Sequence, residues 1–112
     1  MKVNLHSEEK EGVVTVFIDG EFDMAASPKI RNFLAPLFHE NSRSIIVDLS
    51  KVPYIDSSGI ATLVEGLQWS HSKGKKFRLT QLSPTVKDVF EIARLLTVFE
   101  VFDTIEDALQ GV

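Results

Sequence analysis

The chain has 112 residues, of which 44% are apolar, and its 12 basic and 16 acidic side chains give a net charge of −4. This size and charge predict one domain over residues 1–112 and argue against nucleic acid or an anionic membrane as partner, because both need clustered Lys and Arg. Without cysteines, neither disulfides nor thiolate metal sites can form. No run reaches the roughly 18 apolar residues of a membrane span, and no apolar signal segment opens the sequence, so we expect a cytoplasmic protein.

The first half of the chain predicts two strands, a helix and a third strand. The β-branched and aromatic run VVTVFI at 13–18 indicates a strand buried on both faces, and residues 1–6 can pair beside it. Ser27-Pro28 supplies a helix cap followed by a proline that suits the first turn. Pro36 interrupts the helical pattern that follows and predicts a kink or a restart. Residues 44–49 then form the next strand.

The second half alternates helices with shorter strands. A helix opening at Asp56 or Ser57 carries an apolar stripe and closes at Gly74. Further predicted elements are a strand around Phe77 and Leu79, a helix from Ser83-Pro84, a strand at 98–102, and a final helix opening at Asp103-Thr-Ile-Glu106 with Asp103 in the capping position. The order β-β-α-β-α-β-α-β-α implies an α/β fold, with a mixed, mostly parallel sheet of four to five strands and about four helices.

The turn Asp56-Ser57-Ser58-Gly59 places two hydroxyls at the start of a helix. A helix start offers free backbone N–H groups and the positive end of the helix dipole, so it favours an anion. A phosphate on either hydroxyl would therefore be tolerated there. Alternatively, Asp56 or Ser57 simply caps the helix, a contribution of about 1 kcal/mol.

No enzyme, metal or cofactor site is predicted. A hydrolase triad would need a Gly-x-Ser-x-Gly elbow, which the sequence lacks, and the three histidines, His6, His39 and His71, lie in predicted surface segments. These histidines do not share the spacing of metal ligands. Asp48 at a strand end could suggest an aspartyl phosphate, but the acidic pair that a magnesium site requires after the first strand is absent.

Three short motifs occur in order along the chain: Gly20-Glu-Phe-Asp23, Asp56-Ser-Ser-Gly59 and Leu82-Ser-Pro-Thr-Val-Lys87. They resemble the turn after the second strand, the phosphoacceptor turn and the start of the third helix in the STAS family, in particular its bacterial anti-sigma factor antagonists. The resemblance runs the whole length of the chain and implies the STAS fold.

By position, the resemblance implies that Ser57 is phosphorylated, within a turn formed by Asp56, Ser58 and Gly59. The implied kinase is the anti-sigma factor itself, a serine kinase of histidine-kinase-like ATPase fold. The unphosphorylated antagonist binds this kinase and frees the sigma factor, and phosphorylation releases the antagonist until a serine phosphatase resets it. Asp23 then orients the Ser57 hydroxyl or contacts the kinase; alternatively, it caps the first helix or the turn before it.

The second predicted helix carries a line of small side chains that ends in a large aromatic: Gly59, Thr62, Gly66 and Trp69. A partner helix could approach closely along this line, with Trp69 as anchor, because Trp is enriched at interface hot spots. Alternatively, Trp69 packs over the sheet edge and Gly66 accommodates a neighbouring helix.

A second functional class is consistent with the same fold. In it, the protein is a STAS adaptor that stays docked through this helix on the ATPase of an ABC-type lipid transporter or on a sensory complex. The two classes differ in whether Ser57 is ever phosphorylated. The intact Asp-Ser-Ser-Gly turn favours the antagonist.

Overall fold

Five strands form one sheet in the order β1-β2-β3-β4-β5. The structure is a computed structural model that describes residues 3–112. Its strands are β1 (Asn4–Lys10), β2 (Val13–Asp19), β3 (Ser44–Lys51), β4 (Lys76–Thr80) and β5 (Glu100–Phe102). β1 is antiparallel to β2, and the other neighbouring pairs are parallel. The predicted mixed, mostly parallel sheet is confirmed, although the first two residues of the proposed edge strand lie outside the described residues.

The helices of the described residues are α1 (Ser27–Leu34), α2 (Ser57–Lys73), α3 (Pro84–Ile92) and α4 (Ile105–Ala108), with 3-10 turns at Ala35–Phe38 and Leu95–Thr97. The predicted restart at Pro36 is confirmed, because α1 ends just before this proline and a 3-10 turn follows. Gly74 ends α2 with a left-handed φ of 67°, as predicted. The Ser83 hydroxyl caps α3 and also donates to the Val52 carbonyl at 2.6 Å.

One face of the sheet carries the main core. Ile45, Val47 and Leu49 alternate along β3 and are fully buried on this face. The side chains that cover them from α1, α2 and α3 are also fully buried: Ile30, Leu34, Leu63, Val86 and Phe90. The three longer helices therefore lie on the same side of the sheet.

The opposite face is only partly covered. Ala108 of α4 packs there against Val13 and Ile46. Thr15 and Phe17 remain half-buried on this face, so the expectation that β2 is buried on both faces is wrong. A four-residue helix is too short to cover the whole face, which leaves an open trough beside it.

Two predicted boundaries near the C-terminus are also wrong. The last strand begins at Glu100 rather than at residue 98, because the N–H groups of Val98 and Phe99 donate back to the Leu95 carbonyl of the 3-10 turn Leu95–Thr97. Thr104 rather than Asp103 caps α4, since Thr104 has the extended backbone of a cap and its Oγ1 accepts the Asp107 N–H at 3.0 Å. Asp and Thr are both common capping residues, so the residue type alone does not tell which of the two caps α4. The position at which the helical backbone begins decides it.

Arg78 holds α4 against the sheet. Its Nη1 donates to the Ala108 carbonyl at 3.0 Å and to the Gln110 carbonyl, and its Nε donates to Glu100 at 2.8 Å. We expect Arg78→Met to lower the free energy of unfolding by about 2 kcal/mol, because the buried Ala108 carbonyl and the Gln110 carbonyl lose charge-assisted hydrogen bonds. Urea denaturation with the exposed-site control Lys87→Met checks this, and equal unfolding midpoints for the two variants would contradict it.

Candidate functional site

The candidate site lies where the loop after β2 meets the loop after β3. The Phe22 N–H donates to the Tyr54 carbonyl at 2.9 Å, and the Asp56 N–H donates to the Phe22 carbonyl at 3.2 Å. Phe22 and Ile55 form an isolated parallel bridge, and the Phe22 ring is fully buried. The two loops are thus one hydrogen-bonded unit, anchored in the core by an aromatic side chain.

Asp56 joins α2 to both loops. Its Oδ1 accepts the Ser58 N–H at 2.9 Å and the Gly59 N–H at 3.1 Å, which confirms the predicted helix cap. Its Oδ2 accepts the Met24 N–H at 3.1 Å from the loop after β2. The second contact spans 32 residues of chain, so no local pattern indicates it. Asp56 is therefore a cap and a tie between loops at once.

Gly59 sits where α2 approaches the first loop too closely for any side chain. A Cβ atom built on Gly59 would lie 2.5 Å from the Phe22 carbonyl oxygen and 2.7 Å from Cγ1 of Ile55. Distances below 3.0 Å require something to move, and here one neighbour is hydrogen-bonded backbone. The glycine lets the helix start pack directly on the joined loops.

Ser57 occupies the first position of α2 and is exposed. Within residues 3–112 the Ser57 hydroxyl forms no hydrogen bond. The next serine, Ser58, is half-buried. The N–H groups of Ser58 and Gly59 are already occupied by Asp56, so the expectation that these groups are free for an anion is wrong. An anion on Ser57 would lie beside the Asp56 carboxylate, and the positive end of the helix dipole would still stabilise it.

Asp23 caps the turn that leads into α1. Its Oδ1 accepts the Ala26 N–H at 2.9 Å, and its carbonyl accepts the Ser27 N–H at 2.9 Å and the Ser27 hydroxyl at 2.7 Å. No hydrogen bond joins Asp23 to Ser57 among the described residues, so the turn-cap alternative is the one observed. A contact between Asp23 and a partner stays a prediction.

The line of small residues on α2 faces inward. Thr62 and Gly66 are buried, and a Cβ atom on Gly66 would lie 2.8 Å from the Phe77 ring of β4. Trp69 is half-buried, with its ring 5.5 Å from that of Phe38 in an edge-on arrangement. The prediction that a partner helix approaches along this line is wrong for Gly66, because its side of α2 packs against the protein's own sheet. For Thr62 it stays a prediction, since this residue is buried beside Ser27 and Arg31 of α1.

Two exposed apolar side chains flank the Asp56–Gly59 turn, and the sequence patterns did not indicate them. Met24 is 73% exposed and Tyr54 is 46% exposed, although each belongs to a well-anchored loop. Both lie outside any helical or strand periodicity, which is why pattern analysis passes over them. Exposed apolar groups that lie close together are typical of a protein-binding surface.

The structure also bears on ions and membranes. Within residues 3–112, no group of three His, Asp or Glu side chains is arranged to hold a metal ion. Over the same residues, no helix combines the length and apolar character needed to cross a membrane.

Replacing Asp56 by Ala tests its double role. The variant loses three hydrogen bonds to backbone N–H groups, so we expect the free energy of unfolding to fall by about 2 kcal/mol. Asp103→Ala is the matched control, since Asp103 is exposed and does not cap α4. Chemical denaturation of both variants checks the expectation, which fails if Asp56→Ala is no less stable than Asp103→Ala.

The chain matches known proteins along almost its whole length. The anti-sigma-B factor antagonist of Bacillus subtilis strain 168 is 27% identical over 110 residues, which cover 98% of this chain and all of that protein. An anti-sigma factor antagonist from Mycobacterium paratuberculosis superposes with a TM-score of 0.89 at 23% identity, covering 99% of this chain and 94% of that one. The Bacillus cell fate determinant SpoIIAA, solved in its phosphorylated form, superposes with a TM-score of 0.73 at 22% identity, covering 95% and 96%.

The family comparison agrees with these likenesses and with the observed sheet. The model for the STAS domain matches residues 4–108, which include both joined loops, the Asp56–Gly59 turn and all five strands. The likeness to solved structures supports the same fold independently of sequence identity. This chain therefore belongs to the STAS domain family.

Proposed function

We propose that this protein is an anti-sigma factor antagonist whose binding to an anti-sigma factor is controlled by phosphorylation of Ser57. The observation that carries the proposal is an exposed serine at the start of α2, on a rigid turn flanked by exposed Met24 and Tyr54. The relative in Bacillus subtilis is named an anti-sigma-B factor antagonist, and the structural neighbour SpoIIAA has a phosphorylated form.

The surface around Ser57 suits a partner protein. Met24 and Tyr54 project from loops that are hydrogen-bonded to each other, so little ordering is needed when they are buried. Methionine adapts its shape to a partner, and tyrosine adds a hydroxyl that can be satisfied at an interface. We infer that these two side chains form the apolar centre of the contact, with Ser57 beside them.

Phosphorylation would change this surface without changing the fold. A phosphate adds about −1.5 to −2 charges near pH 7. Ser57 is exposed, and its hydroxyl makes no hydrogen bond within residues 3–112. Phosphorylation would therefore leave the internal contacts of the chain unchanged. A phosphate buried against a partner, however, must lose its hydration beside the Asp56 carboxylate, and this opposes binding.

The partner class follows from the same arrangement. We propose a serine kinase of histidine-kinase-like ATPase fold that is also the anti-sigma factor, with a serine phosphatase that removes the phosphate. The kinase would modify Ser57 rather than Ser58, because Ser58 is half-buried and its N–H is bound by Asp56. No chemistry by the antagonist itself is involved in this scheme.

Affinity purification tests the proposal. Wild-type and Ser57→Ala baits are expected to retain a histidine-kinase-like ATPase, Ser57→Asp is expected to lose it, and mass spectrometry of the wild-type chain is expected to find phosphate on Ser57. Ser72→Asp is a control that places the same charge at the far, exposed end of α2. An ABC-type ATPase or a sensory complex that all baits retain, with Ser57 unmodified, would instead establish the permanently docked adaptor.

A further inference from the structure

The first strand, β1, forms an open edge of the sheet. It pairs with β2 over its whole length, Asn4–Lys10. Within residues 3–112 its outer side has no neighbouring strand, and its backbone groups form hydrogen bonds only with β2. Every residue of β1 is exposed except Leu5, which is half-buried, so no helix overhangs the edge. The outward-pointing N–H and carbonyl groups of β1 are therefore free to pair with a further strand.

Most of the usual obstacles to such pairing are absent from β1. Proteins block an exposed edge with a proline, a bulge, a covering element or charged side chains. β1 contains no proline, and its register with β2 is regular throughout. The remaining protection is the charge of Glu8, Glu9 and Lys10. Whether a strand can add here thus depends on what these three side chains would face.

A second copy of this chain offers an edge that fits. Two identical antiparallel strands related by a two-fold axis place one residue opposite its own copy. When that residue is Ser7, all of β1 pairs with all of its copy, because Asn4 and Lys10 lie equally far from the centre. A centre at Glu8, Glu9 or Lys10 would instead place two like charges opposite each other, and a centre nearer to Asn4 would shorten the pairing.

The register centred on Ser7 also brings opposite charges together. Glu8 of each strand faces His6 of the other, while Lys10 faces Asn4 and Glu9 faces Leu5. The His6 ring is already held in place, since it stacks on Phe17 at a centroid distance of 4.6 Å. Its Nε2 lies 3.7 Å from the Glu8 carboxylate of its own strand. Glu8 would then lie between two imidazoles, one from each copy.

We propose that β1 pairs with β1 of a second copy, antiparallel and centred on Ser7, so that the five-stranded sheets of the two copies become continuous. The helix layers of both copies would lie on the same side of this sheet, and the exposure of Ser7 and Glu9 shows that α1 leaves room there. The edge contains no residue of the contact surface around Ser57, so this proposal and the proposed function can fail separately.

Single cysteines test the register, because the chain has no cysteine of its own. In Ser7→Cys the two Cα atoms would lie about 4.5 to 5.5 Å apart across the two-fold axis, within the range of a disulfide. Glu9→Cys is the matched control on the same strand and face, and its two copies would lie roughly 13 Å apart. Ser72→Cys, exposed at the far end of α2, measures random collision.

Oxidation by a glutathione buffer is followed by mass spectrometry without reductant. The rate of disulfide-linked dimer formation is divided by the rate at which each thiol reacts with a small disulfide reagent, since thiols differ in reactivity. We expect the ratio for Ser7→Cys to exceed those for Glu9→Cys and Ser72→Cys at least about tenfold. Equal ratios for the three variants, or a higher ratio for Glu9→Cys, would overturn the proposal.

Sedimentation equilibrium measures the dimer without a covalent link. An interface made by one short strand is small, so we expect a Kd of about 100 μM for the wild-type chain. Ser7→Lys places two ammonium groups opposite each other and is expected to weaken the dimer at least about fivefold. The control Ser72→Lys is expected to dimerise like wild type. A wild-type chain that stays monomeric to about 1 mM, or a Ser7→Lys chain that dimerises like Ser72→Lys, would contradict the pairing. Circular dichroism shows whether each variant folds, and the cysteine test decides if Ser7→Lys does not.

Discussion

Replacing Ser57 by Asp is expected to weaken binding to the anti-sigma factor at least about thirtyfold, while the free energy of unfolding stays within about 1 kcal/mol of wild type. The affinity falls because a second carboxylate beside Asp56 must be desolvated next to the apolar centre of the proposed contact. The fold is preserved because Ser57 is exposed and its hydroxyl makes no contact that the structure needs. Isothermal titration calorimetry with the purified partner and urea denaturation measure the two quantities.

A neutral variant of the same shape is the sharpest control for this result. Ser57→Asn matches Asp in size but carries no charge, so it is expected to bind at least about tenfold more tightly than Ser57→Asp. If the two variants bind equally weakly, shape rather than charge controls the contact. If Ser57→Asp binds as tightly as wild type, the phosphorylation switch is wrong.

Gly59→Ala is expected to lower the free energy of unfolding by about 3 kcal/mol, which is the largest stability effect that we predict for this protein. Helix propensity alone predicts the opposite, since Ala in a helix is favoured over Gly by about 1 kcal/mol. The packing term dominates because the added methyl group would lie 2.5 Å from the Phe22 carbonyl oxygen. That oxygen accepts a hydrogen bond from Asp56, so it cannot move without breaking the contact between the loops.

Two other glycines of the chain provide controls. A Cβ atom on Gly74 would have no atom within 4 Å, so Gly74→Ala is destabilising only because alanine disfavours a left-handed φ. We expect its free energy of unfolding to fall by about 1 kcal/mol. Gly66→Ala meets the Phe77 ring, which can shift where backbone cannot, and an intermediate loss is expected. Urea denaturation of all three variants checks the order. A Gly59→Ala chain as stable as Gly74→Ala would show that the helix start is looser than the structure indicates.

Sequence patterns predicted the elements whose signals are local. Asp56, Ser83 and Gly74 mark helix ends through hydrogen bonds or backbone angles that involve residues at most four positions away, and all three positions are confirmed. Pro36 ends a helix through its own ring and missing N–H, and it acts as predicted. The alternation of Phe77 and Leu79 with polar residues in β4 likewise reflects the period of the strand.

The wrong predictions concern faces and boundaries that distant residues control. The burial of Thr15 and Phe17 depends on how much of the sheet the short α4 covers, and Arg78 from β4 holds α4 in place. The inward direction of Gly66 depends on the space that Phe77 requires. Neither relation is present within a window of neighbouring residues, since each joins segments more than ten residues apart.

For the candidate site, the local sequence was sufficient to identify the Asp56-Ser57-Ser58-Gly59 turn, its cap and its position at a helix start. Two features depended on the folded chain: the bond from Met24 to Asp56, and the close approach of Phe22 to Gly59. Caps and turns arise from interactions over a few residues, so the sequence shows them directly. Contacts across 32 residues arise only when the parallel strands bring their carboxyl ends together at one edge of the sheet.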